Sequence, residues 1–472
     1  MASRYEAIAQ RLARSIQDGV LKPGERVPSL RALCEREGIS LMTALAVYRR
    51  LEALRLVEAV PRSGYRVCAG EQPELARPPI ARPRVVAPSA ERAALVQSVL
   101  QAIDDPGLFP LGLGCPAPEL YPLAALRRVT ARLLAERPAL WAEYSIAPGS
   151  LELRRQIAAR LCARGHRVGP HEVLITSGAA EALSLGLRCL IQPGDLVLVE
   201  CPTYFGVLDA VRGAGARVLE LPGDAEHGID PARLDALCRK QRVRAAALIP
   251  SFANPTGSLL SEARKRECAA ILRKHQVALV EDDLYGELAF DRRAVPPMAA
   301  FAAESLPCVL ASSLSKTLLP GARIGFLVAR SPIIERALAL KQSTTLANNT
   351  LAEHLARECL QSGLFDRHLR KLIPAMEHNV SRMQSAVLRH FPVGTRVSRP
   401  RGGYLLWVEL PAPCDGLALF HTAREHGISI APGCIFTLAG GLDRFIRLNG
   451  AAPGDLEHAL QTLGKLAAAA TC

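Results

Sequence analysis

The sequence predicts an α/β protein in two parts: a small helical domain with two short strands, and a large domain with a mostly parallel, helix-covered sheet. Three observations predict this fold class. Helical and strand-like patterns fill residues 1–68, a proline-rich segment follows, and strand-like runs then alternate with helical patterns. The 472 residues, 49% of them hydrophobic, suffice for two or three domains with their own cores.

The amino-terminal part reads as three helices followed by a pair of strands. The first helix places Ile8, Leu12 and Ile16 on one face, which is the spacing of a buried helical stripe. The second and third helices begin after Ser29 and Ser40, both preferred N-cap residues. The run LVEAVPRSGYRVC then supplies two short strands around a turn. A helix-turn-helix followed by a two-stranded wing is a DNA-binding architecture.

Charge favours a polyanionic partner for this part. Residues 1–70 contain 12 Lys and Arg against 7 Asp and Glu, and the whole chain carries a formal charge of +13. A basic small domain is typical of binding to double-stranded DNA, although a solvated surface produces the same excess.

The phrases GVLKPGERVPSLRAL, GIS..TA..VYRRLE and PRSGYRV resemble the winged helix-turn-helix domain of the GntR family of bacterial transcription regulators, over residues 4–68. The resemblance implies that the helix after Ser40 enters the major groove and that the wing lies by the minor groove. Leu41 and Met42 stand where the family usually has arginine, so base readout would rely more on Thr43 and on methyl contacts. Each arginine taken alone is equally well a charge on a solvated helix face. The implied DNA contacts are Arg31, Ser40, Thr43, Arg49, Arg62 and Gly64.

A proline-rich segment separates the two parts. From Ala69 to about Leu95 the chain reads AGEQPELARPPIARPRVVAPSAERAAL without hydrophobic periodicity, which is typical of a semi-rigid extended linker. We therefore predict a DNA-binding domain over residues 1–68, a linker over 69–100 and a second domain over 101–472.

Composition also narrows the cellular setting. No apolar run approaches the roughly 20 residues that span a bilayer, and the amino terminus lacks the apolar block of a signal peptide. The 13 cysteines are scattered singly without a CxxC pair, which favours reduced, buried thiols over disulfides or a metal site. We expect a cytoplasmic protein that binds neither a membrane nor a metal.

Strand-like runs in the large part are followed by small and polar residues. Alternation of such runs with helices predicts a mostly parallel sheet, whose active sites gather at the carboxyl ends of the strands. After the run VLIT, Gly178, Ala179 and Ala180 open a helix, where backbone amides and the helix dipole can hold a phosphate. Alone, this turn is a weak signal. The predicted strands lie in the runs EVLITSG, LVLVE, RVLEL, AAALIP, VALVEDD, CVLASSL and RIGFLVA.

Two further turns carry polar residues that are ambiguous one at a time. Asn254 lies in SFANPTG, which is usually only a turn, and Asp282 and Tyr285 in ALVEDDLYGEL are equally suited to capping the next segment. Together they match the needs of a pyridine ring. Asp282 would keep the ring nitrogen protonated, and Asn254 and Tyr285 would bond its phenolic oxygen.

The stretch SSLSKTLLPGARIGF completes the set. Ser313 and Arg323 supply the hydroxyl and cationic donors that a phosphate needs, and Lys316 between them is placed to form a Schiff base with an aldehyde. Lys316 alone would be an ordinary charge at a strand edge. In company with Asp282 it predicts a pyridoxal phosphate site.

Together these residues resemble the fold type I pyridoxal phosphate enzymes, specifically the class I and II aminotransferases, over residues 105 to 465. The resemblance implies a smaller carboxyl-terminal subdomain and a homodimer in which Tyr144 reaches the neighbouring subunit's phosphate. Tyr204 would stack on the ring, and Arg447 in FIRLNGA would pair with a substrate carboxylate. The alternatives are a core aromatic at Tyr204 and a surface charge at Arg447.

The two resemblances combine in the MocR subgroup of GntR regulators. The subgroup implies a transcription factor in which an amino acid or amine effector forms an aldimine with pyridoxal phosphate held on Lys316. A homodimer, domain-swapped or not, would then reposition its DNA-binding heads. The alternatives are a working aminotransferase with an accessory DNA-binding domain and a cofactor-free dimerisation scaffold. The intact Lys316, Asp282 and Asn254 argue against the scaffold.

Overall fold

The chain forms two compact units, Met1–Glu74 and Leu75–Cys472, whose boundary falls within the predicted linker. The computed structural model describes residues 4–17, 21, 25–54, 56–60, 64–68, 85–86, 90–101, 105, 107–452 and 454–470. Within these described ranges no helix is both long and apolar enough to cross a membrane. The twelve cysteines in the same ranges are free thiols.

The smaller unit has three helices and a two-stranded wing, as predicted. Serine side chains cap its second and third helices: Ser29 Oγ accepts a hydrogen bond from Ala32 N, and Ser40 Oγ accepts one from Thr43 N. The helices bury a common apolar cluster around Leu33, which fixes their packing. The elements are the helices Arg4–Gln17, Leu30–Glu37 and Leu41–Ala53 and the strands Val57–Val60 and Gly64–Val67.

The wing is an antiparallel strand pair. Val60 pairs with Gly64, whose φ of +83° lies in the region that favours glycine. Tyr65 stacks on Tyr48 of the third helix with ring centroids 4.5 Å apart, so the wing is packed onto the helices. Arg62 lies outside the described residues.

The larger unit is built on a nine-stranded sheet. Five adjacent strands run parallel, and the strand Gly325–Ala329 runs antiparallel to both of its neighbours. All seven predicted runs form strands of this sheet, so the predicted fold class is confirmed. In spatial order the strands are Val85–Val86, Arg217–Asp224, Leu196–Cys201, Val243–Leu248, Ala278–Asp282, Cys308–Ser313, Gly325–Ala329 and Val173–Thr176, with Gly228–Ile229 paired to Arg217–Asp224.

Helices bury both faces of this sheet. In the second of the five parallel strands, Val197 and Val199 join the apolar cluster on one face, whereas Leu196 and Leu198 join the cluster on the other. The helices of the larger unit are Ala90–Gln101, Leu123–Glu136, Leu151–Ala163, Ala179–Leu190, Phe205–Gly213, Pro231–Lys240, Glu262–Lys274, Ile333–Gln342, Thr350–Gln361, Leu364–His390, Gly416–Glu425 and Leu456–Ala469.

A four-stranded antiparallel sheet forms the predicted smaller carboxyl-terminal subdomain. The long helix Leu364–His390 packs against it and against the helix Leu456–Ala469. Its strands, in spatial order, are Arg396–Val397, Leu405–Glu409, Phe445–Asn449 and Ala431–Pro432. Two short pairings complete the strands: Phe109–Pro110 with Ile428–Ser429, and Ser145–Ile146 with Ala347–Asn348.

The predicted linker over 69–100 extends too far towards the carboxyl terminus. The strand Val85–Val86 pairs with the edge of the nine-stranded sheet, and the helix Ala90–Gln101 buries Val96 and Val99 in the core of the larger unit. Arg92 of this helix pairs with the Asp209 carboxylate. The sequence did not predict this helix because one of its buried positions is Arg92, so the helix lacks a continuous apolar face.

Candidate functional site

The predicted cofactor residues converge at one edge of the nine-stranded sheet. Asp282 and Ser313 are the last residues of two parallel strands, and Gly178 follows the strand Val173–Thr176 closely. The antiparallel strand Gly325–Ala329 begins at the same edge, because Gly325 pairs with Thr176 and Ser313. Parallel strands therefore bring together polar residues that are far apart in the chain.

Asp282 is a buried carboxylate that lacks a partner for one of its oxygens. Its side chain ends the apolar strand Ala278–Asp282 and is 2% exposed, and Oδ1 accepts no hydrogen bond within the described residues. Burial and the nearby charge of Asp283 raise the pKa of Asp282 to about 7, against smaller opposing effects of a backbone hydrogen bond from Leu284 and of the charge of Lys316. A buried oxygen of this kind calls for a cationic donor, which the protonated nitrogen of a pyridine ring provides.

Lys316 lies in the turn after the strand Cys308–Ser313 and is partly buried. Its Nζ is 3.3 Å from Cys115 Sγ, and it forms no ion pair with any described residue. The amine is therefore not committed to a described carboxylate. The contact with Cys115 was not predicted, since 201 residues separate the two in the chain.

A helix amino terminus faces this edge beside a cation. The first amides of the helix Ala179–Leu190 have no intrahelical acceptor, and Gly178 precedes them with a φ of +83°. Arg323 lies directly against Gly178, where a Cβ atom would collide with its guanidinium. Arg323 Nη2 also donates to Ser177 O at 3.4 Å. Only glycine at position 178 allows this close approach.

Two hydroxyls lie at the end of the strand Cys308–Ser313, close to Lys316 in the chain. Ser313 Oγ accepts a hydrogen bond from Ser315 N at 3.2 Å, which leaves its own proton to donate. Ser315 Oγ is buried without a partner in the described residues, so it is the more clearly available donor. Sequence reasoning missed Ser315, although it stands in the same SSLSK stretch as Lys316.

Glu181 places an acidic side chain next to the same loop. It accepts hydrogen bonds from Ser177 N, Lys341 Nζ and Thr345 Oγ1. Although burial opposes them, these donors lower the pKa of Glu181. Because buried Lys341 balances its charge at 3.0 Å, Glu181 does not make the loop net anionic.

Aromatic hydroxyls line the rest of the site. Tyr204 packs on Phe205 with ring centroids 4.5 Å apart, and burial raises the pKa of Tyr204 to about 12. Tyr285 is buried edge-on to Tyr404, and burial raises its pKa further. These phenols stay protonated at neutral pH and can donate hydrogen bonds.

Arg447 is a buried cation with no acidic partner among the described residues. It comes from the strand Phe445–Asn449 of the carboxyl-terminal sheet and is 2% exposed. Its Nη1 donates to Asn254 Oδ1 at 2.9 Å, its Nη2 donates to Gly112 O, and its Nε has no partner in the described residues. Burial lowers the pKa of Arg447. The alternative of a surface charge is therefore wrong, and the guanidinium is suited to a ligand carboxylate.

Tyr144 stands apart from the other predicted residues. Its side chain is 80% exposed, next to the short pairing of Ser145–Ile146 with Ala347–Asn348. Its side chain makes no hydrogen bond or ring contact with any described residue.

Several residues of the smaller unit that are predicted to contact DNA are solvent-accessible. Arg31 and Arg49 are exposed, as are Leu41 and Met42 at the start of the third helix. Thr43 Oγ1 and the Ser40 hydroxyl lie 2.9 Å apart and bond to each other, and the Ser40 hydroxyl also caps the helix.

The donor set at the sheet edge fits pyridoxal phosphate. Asp282 suits the ring nitrogen, the amides before and within the helix Ala179–Leu190 suit the phosphate, and Lys316 suits the aldehyde carbon. The prediction of this cofactor is confirmed by the family comparisons.

Comparisons with known proteins agree with both parts of the chain. Residues 116–463 match the family "Aminotransferase class I and II", and residues 4–67 match "Bacterial regulatory proteins, gntR family". The uncharacterized HTH-type transcriptional regulator YdcR of Escherichia coli is 35% identical over 468 residues, which is 98% of each chain. The 2-aminoadipate transaminase of Thermus thermophilus is 33% identical over 360 residues, 76% of this chain and 89% of that one.

A solved structure shares the fold of the larger unit. The crystal structure of LysN, an α-aminoadipate aminotransferase from Thermus thermophilus complexed with N-(5'-phosphopyridoxyl)-L-leucine, matches with a TM-score of 0.74 and 31% identity. The match covers 81% of this chain and 97% of that one. This chain therefore belongs to the class I and II aminotransferase family, in the MocR-like architecture that joins such a domain to a GntR-type DNA-binding domain.

Proposed function

We propose that the protein is a transcription regulator that binds DNA through residues 1–68 and senses an amino acid or amine through its pyridoxal phosphate domain. One observation carries this proposal. The same chain contains a helix-turn-helix with capped helices and an exposed basic face, and a lysine and an aspartate suited to bind the cofactor. The similarity to the regulator YdcR over 98% of both chains supports it. In a bacterium such a protein would act in the cytoplasm.

The exposed start of the helix Leu41–Ala53 would enter the major groove. Arg31 and Arg49 would contact phosphates, and Ser40 and Thr43 would contribute polar contacts near the bases. Met42, 72% exposed, offers its apolar side chain to a thymine methyl group. Arg62 and Gly64 would place the wing along the minor groove.

The residues at the sheet edge would divide the work of holding the cofactor. When bound, pyridoxal phosphate supplies an aldehyde carbon that reacts with primary amines and a ring that withdraws electrons. Lys316 would supply the attaching amine, and Asp282 would keep a proton on the ring nitrogen. Asn254 and Tyr285 would donate hydrogen bonds to the phenolic oxygen.

The phosphate and the face of the ring would be held by a further set. Most residues of this set would offer a backbone amide, a hydroxyl or a guanidinium near the loop before the helix Ala179–Leu190, and one would stack its aromatic ring on the cofactor. They are Gly178, Ala179, Ala180, Ser313, Arg323 and Tyr204.

Arg447 would bind the carboxylate of the effector. In the described structure its Nη groups are bonded to Asn254 Oδ1 and Gly112 O. An effector carboxylate accepts two parallel N–H bonds, which are stronger than the neutral contacts it would replace. Arrival of the ligand would thereby release Gly112, which lies in the segment that leads back to the helix Ala90–Gln101 and the linker.

A homodimer would complete the site. Trp141, Tyr144, Ile146 and Leu346 are large side chains that are exposed close together in the chain or across the short strand pairing. A second copy of this chain would cover them, and Tyr144 would reach the partner's phosphate. The effector would change DNA affinity only if it binds one dimer arrangement more tightly than another.

A footprinting experiment tests the regulatory function. Full-length protein is footprinted on the DNA beside its own gene, with and without pyridoxal phosphate and a panel of amino acids and amines. We expect a protected site whose occupancy changes with one of these ligands. A protein that protects no site under any of these conditions would contradict the proposal.

The second candidate function is catalytic transamination. The retained Lys316, Asp282 and Arg447, and the 33% identity to a transaminase, favour it. Turnover of common amino acids at about 1 s⁻¹ or faster, without binding to the upstream DNA, would establish this function instead. The two outcomes are separable because DNA binding and turnover are measured independently.

A further inference from the structure

A cavity of about 260 Å³ lies at the edge of the nine-stranded sheet opposite to the cofactor site. Ala278 and Cys308, the first residues of two central strands, line it, as does Ala329 at the end of the antiparallel strand. Asp282 and Ser313 end the same two strands at the cofactor edge. Strands of five and six residues, at about 3.3 Å per residue, hold the two places roughly 15 Å apart. The cavity is therefore separate from the cofactor site.

The cavity has an apolar interior and cationic side chains at its mouth. Leu306 and Val328 are buried residues of its wall. Arg244, Arg330 and Arg336 also line it and are exposed to solvent. Its volume is slightly below the roughly 300–1,000 Å³ of typical small-molecule sites, which suits a ligand of metabolite size.

Two of these arginines are free to bind a ligand. Arg244 Nε donates to Leu190 O at 3.1 Å, which fixes the guanidinium, and its terminal nitrogens bond to no described residue. Arg336 forms no ion pair with the described part of the chain. A guanidinium held in place with free terminal N–H groups is suited to carboxylate or phosphate oxygens.

The third arginine is only partly neutralised. Arg330 Nε lies 3.8 Å from Glu172 Oε1, and that carboxylate also accepts a hydrogen bond from Gly169 N. Glu304 is the second acidic residue of the lining. Three arginines against two glutamates leave the mouth with an excess of positive charge.

His166 is an unpartnered polar side chain in the wall. It is 9% exposed, lines the cavity and makes no hydrogen bond through its ring to any described residue. Burial, and then the charge of Arg330, lower the pKa of His166 to about 4, against a smaller effect of Glu172. The neutral ring has one N–H to donate and one lone pair to accept. The ring nitrogens are not fully enclosed, so a ligand or a water molecule in the cavity can reach them.

We propose that this cavity is a second ligand site, which binds a small organic anion with its apolar body inside and its carboxylate or phosphate against Arg244, Arg330 and Arg336. His166 contributes a hydrogen bond from the wall. The site is independent of the amino acid or amine bound on the cofactor. Taken with the proposed regulatory function, the site would add an organic anion as a second signal.

Calorimetric titration of the full-length protein tests the site. The protein is first loaded with pyridoxal phosphate and reduced with borohydride, so that the phosphate subsite at Gly178 is filled. The probes are benzoate, phenyl phosphate, inorganic phosphate and the neutral amide benzamide. We expect saturable binding of benzoate or phenyl phosphate with a dissociation constant of about 1 mM or lower, and binding at least about tenfold weaker for benzamide. The tighter of the two anions identifies the head group.

Arginine variants locate the binding. We expect Arg244→Gln and Arg336→Gln each to weaken it about tenfold or more. The matched control is Arg217→Gln, because exposed Arg217 also donates its Nε to a backbone carbonyl, Gly194 O, but lies outside the cavity. A variant at Arg447 identifies any anion held at the effector position.

Four results would overturn the proposal. They are the absence of saturable binding by either organic anion, equal affinity for benzamide, equal affinity for inorganic phosphate, and binding that Arg447→Gln abolishes while Arg244→Gln and Arg336→Gln retain it. Because each reports on binding rather than on DNA or turnover, this test can fail while the proposed regulatory function stands.

Discussion

Replacing Asp282 by asparagine should stabilise the cofactor-free protein at neutral pH and weaken its hold on the cofactor. The carboxyl group has a pKa of about 7 in the folded protein and of about 3.9 when unfolded. At pH values between these two pKa values, the folded state keeps a proton that the unfolded state has already released. The free energy of unfolding therefore falls as the pH rises through this window. Above pH 7 the loss is complete and amounts to about 4 kcal/mol.

The asparagine variant does not carry this cost. Relative to the wild-type protein, its free energy of unfolding should gain about 1–2 kcal/mol at pH 5 and about 4 kcal/mol at pH 8. Urea denaturation of both cofactor-free proteins, followed by tryptophan fluorescence, measures the difference. Both tryptophans, Trp141 and Trp407, lie in the larger unit and report its unfolding.

Cofactor binding should respond in the opposite direction. A hydrogen bond to a charged group contributes about 1.5–3 kcal/mol, so the asparagine variant should bind pyridoxal phosphate about 10- to 100-fold more weakly in an absorbance titration. The control is Asp291→Asn, whose side chain is 59% exposed and should change neither quantity. A variant whose stability follows the wild-type pH dependence, or which binds the cofactor equally well, would refute the role assigned to Asp282.

Three further perturbations have defined outcomes. Lys316→Ala should abolish covalent trapping of the cofactor by borohydride, measured as the loss of the cofactor's mass increment. Lys371→Ala, at an exposed position, should still trap the cofactor. Trapping in both variants would contradict the role of Lys316 as the attaching lysine. Arg49→Ala should weaken DNA binding across sequences and reduce the slope of log affinity against log salt by about 1, while Arg128→Ala on the larger unit should not. Glu353→Gln should lower the free energy of unfolding of the larger unit by about 1–3 kcal/mol, measured by urea denaturation, because the buried carboxylate accepts hydrogen bonds from three donors. An unchanged free energy of unfolding would show that those hydrogen bonds are replaceable.

Sequence patterns predicted most of the fold and the chain positions of the polar set. The alternation of strand-like runs with helical patterns predicted the sheet. Because parallel strands present their carboxyl ends at one edge, the sequence also placed Gly178, Asp282 and Ser313 at the same edge, as observed. Serine caps located the helices of the smaller unit, because Ser29 and Ser40 bond to their own backbone three residues on. Such signals are local, or follow from strand direction alone.

Other features depend on contacts that no local pattern records. Cys115 meets Lys316 only because its loop folds back over the sheet edge, and Gly112 reaches Arg447 across 335 residues of chain. The Ser315 hydroxyl can be identified as buried and without a hydrogen-bond partner among the described residues only once its surroundings are known. Whether Tyr144 reaches a partner depends on a second chain, so it remains a prediction.

The strand Val85–Val86 protects the outer edge of the nine-stranded sheet. It pairs with Val218 and Leu219, whose backbone groups would otherwise be open to another molecule. An isolated effector domain cut at residue 101 would lose both this strand and the helix Ala90–Gln101, with its buried valines. Such a fragment would tend to aggregate, whatever its ability to bind the cofactor. A soluble fragment should begin ahead of Val85, so the segment that the sequence predicts as a linker is in part a structural element of the larger unit.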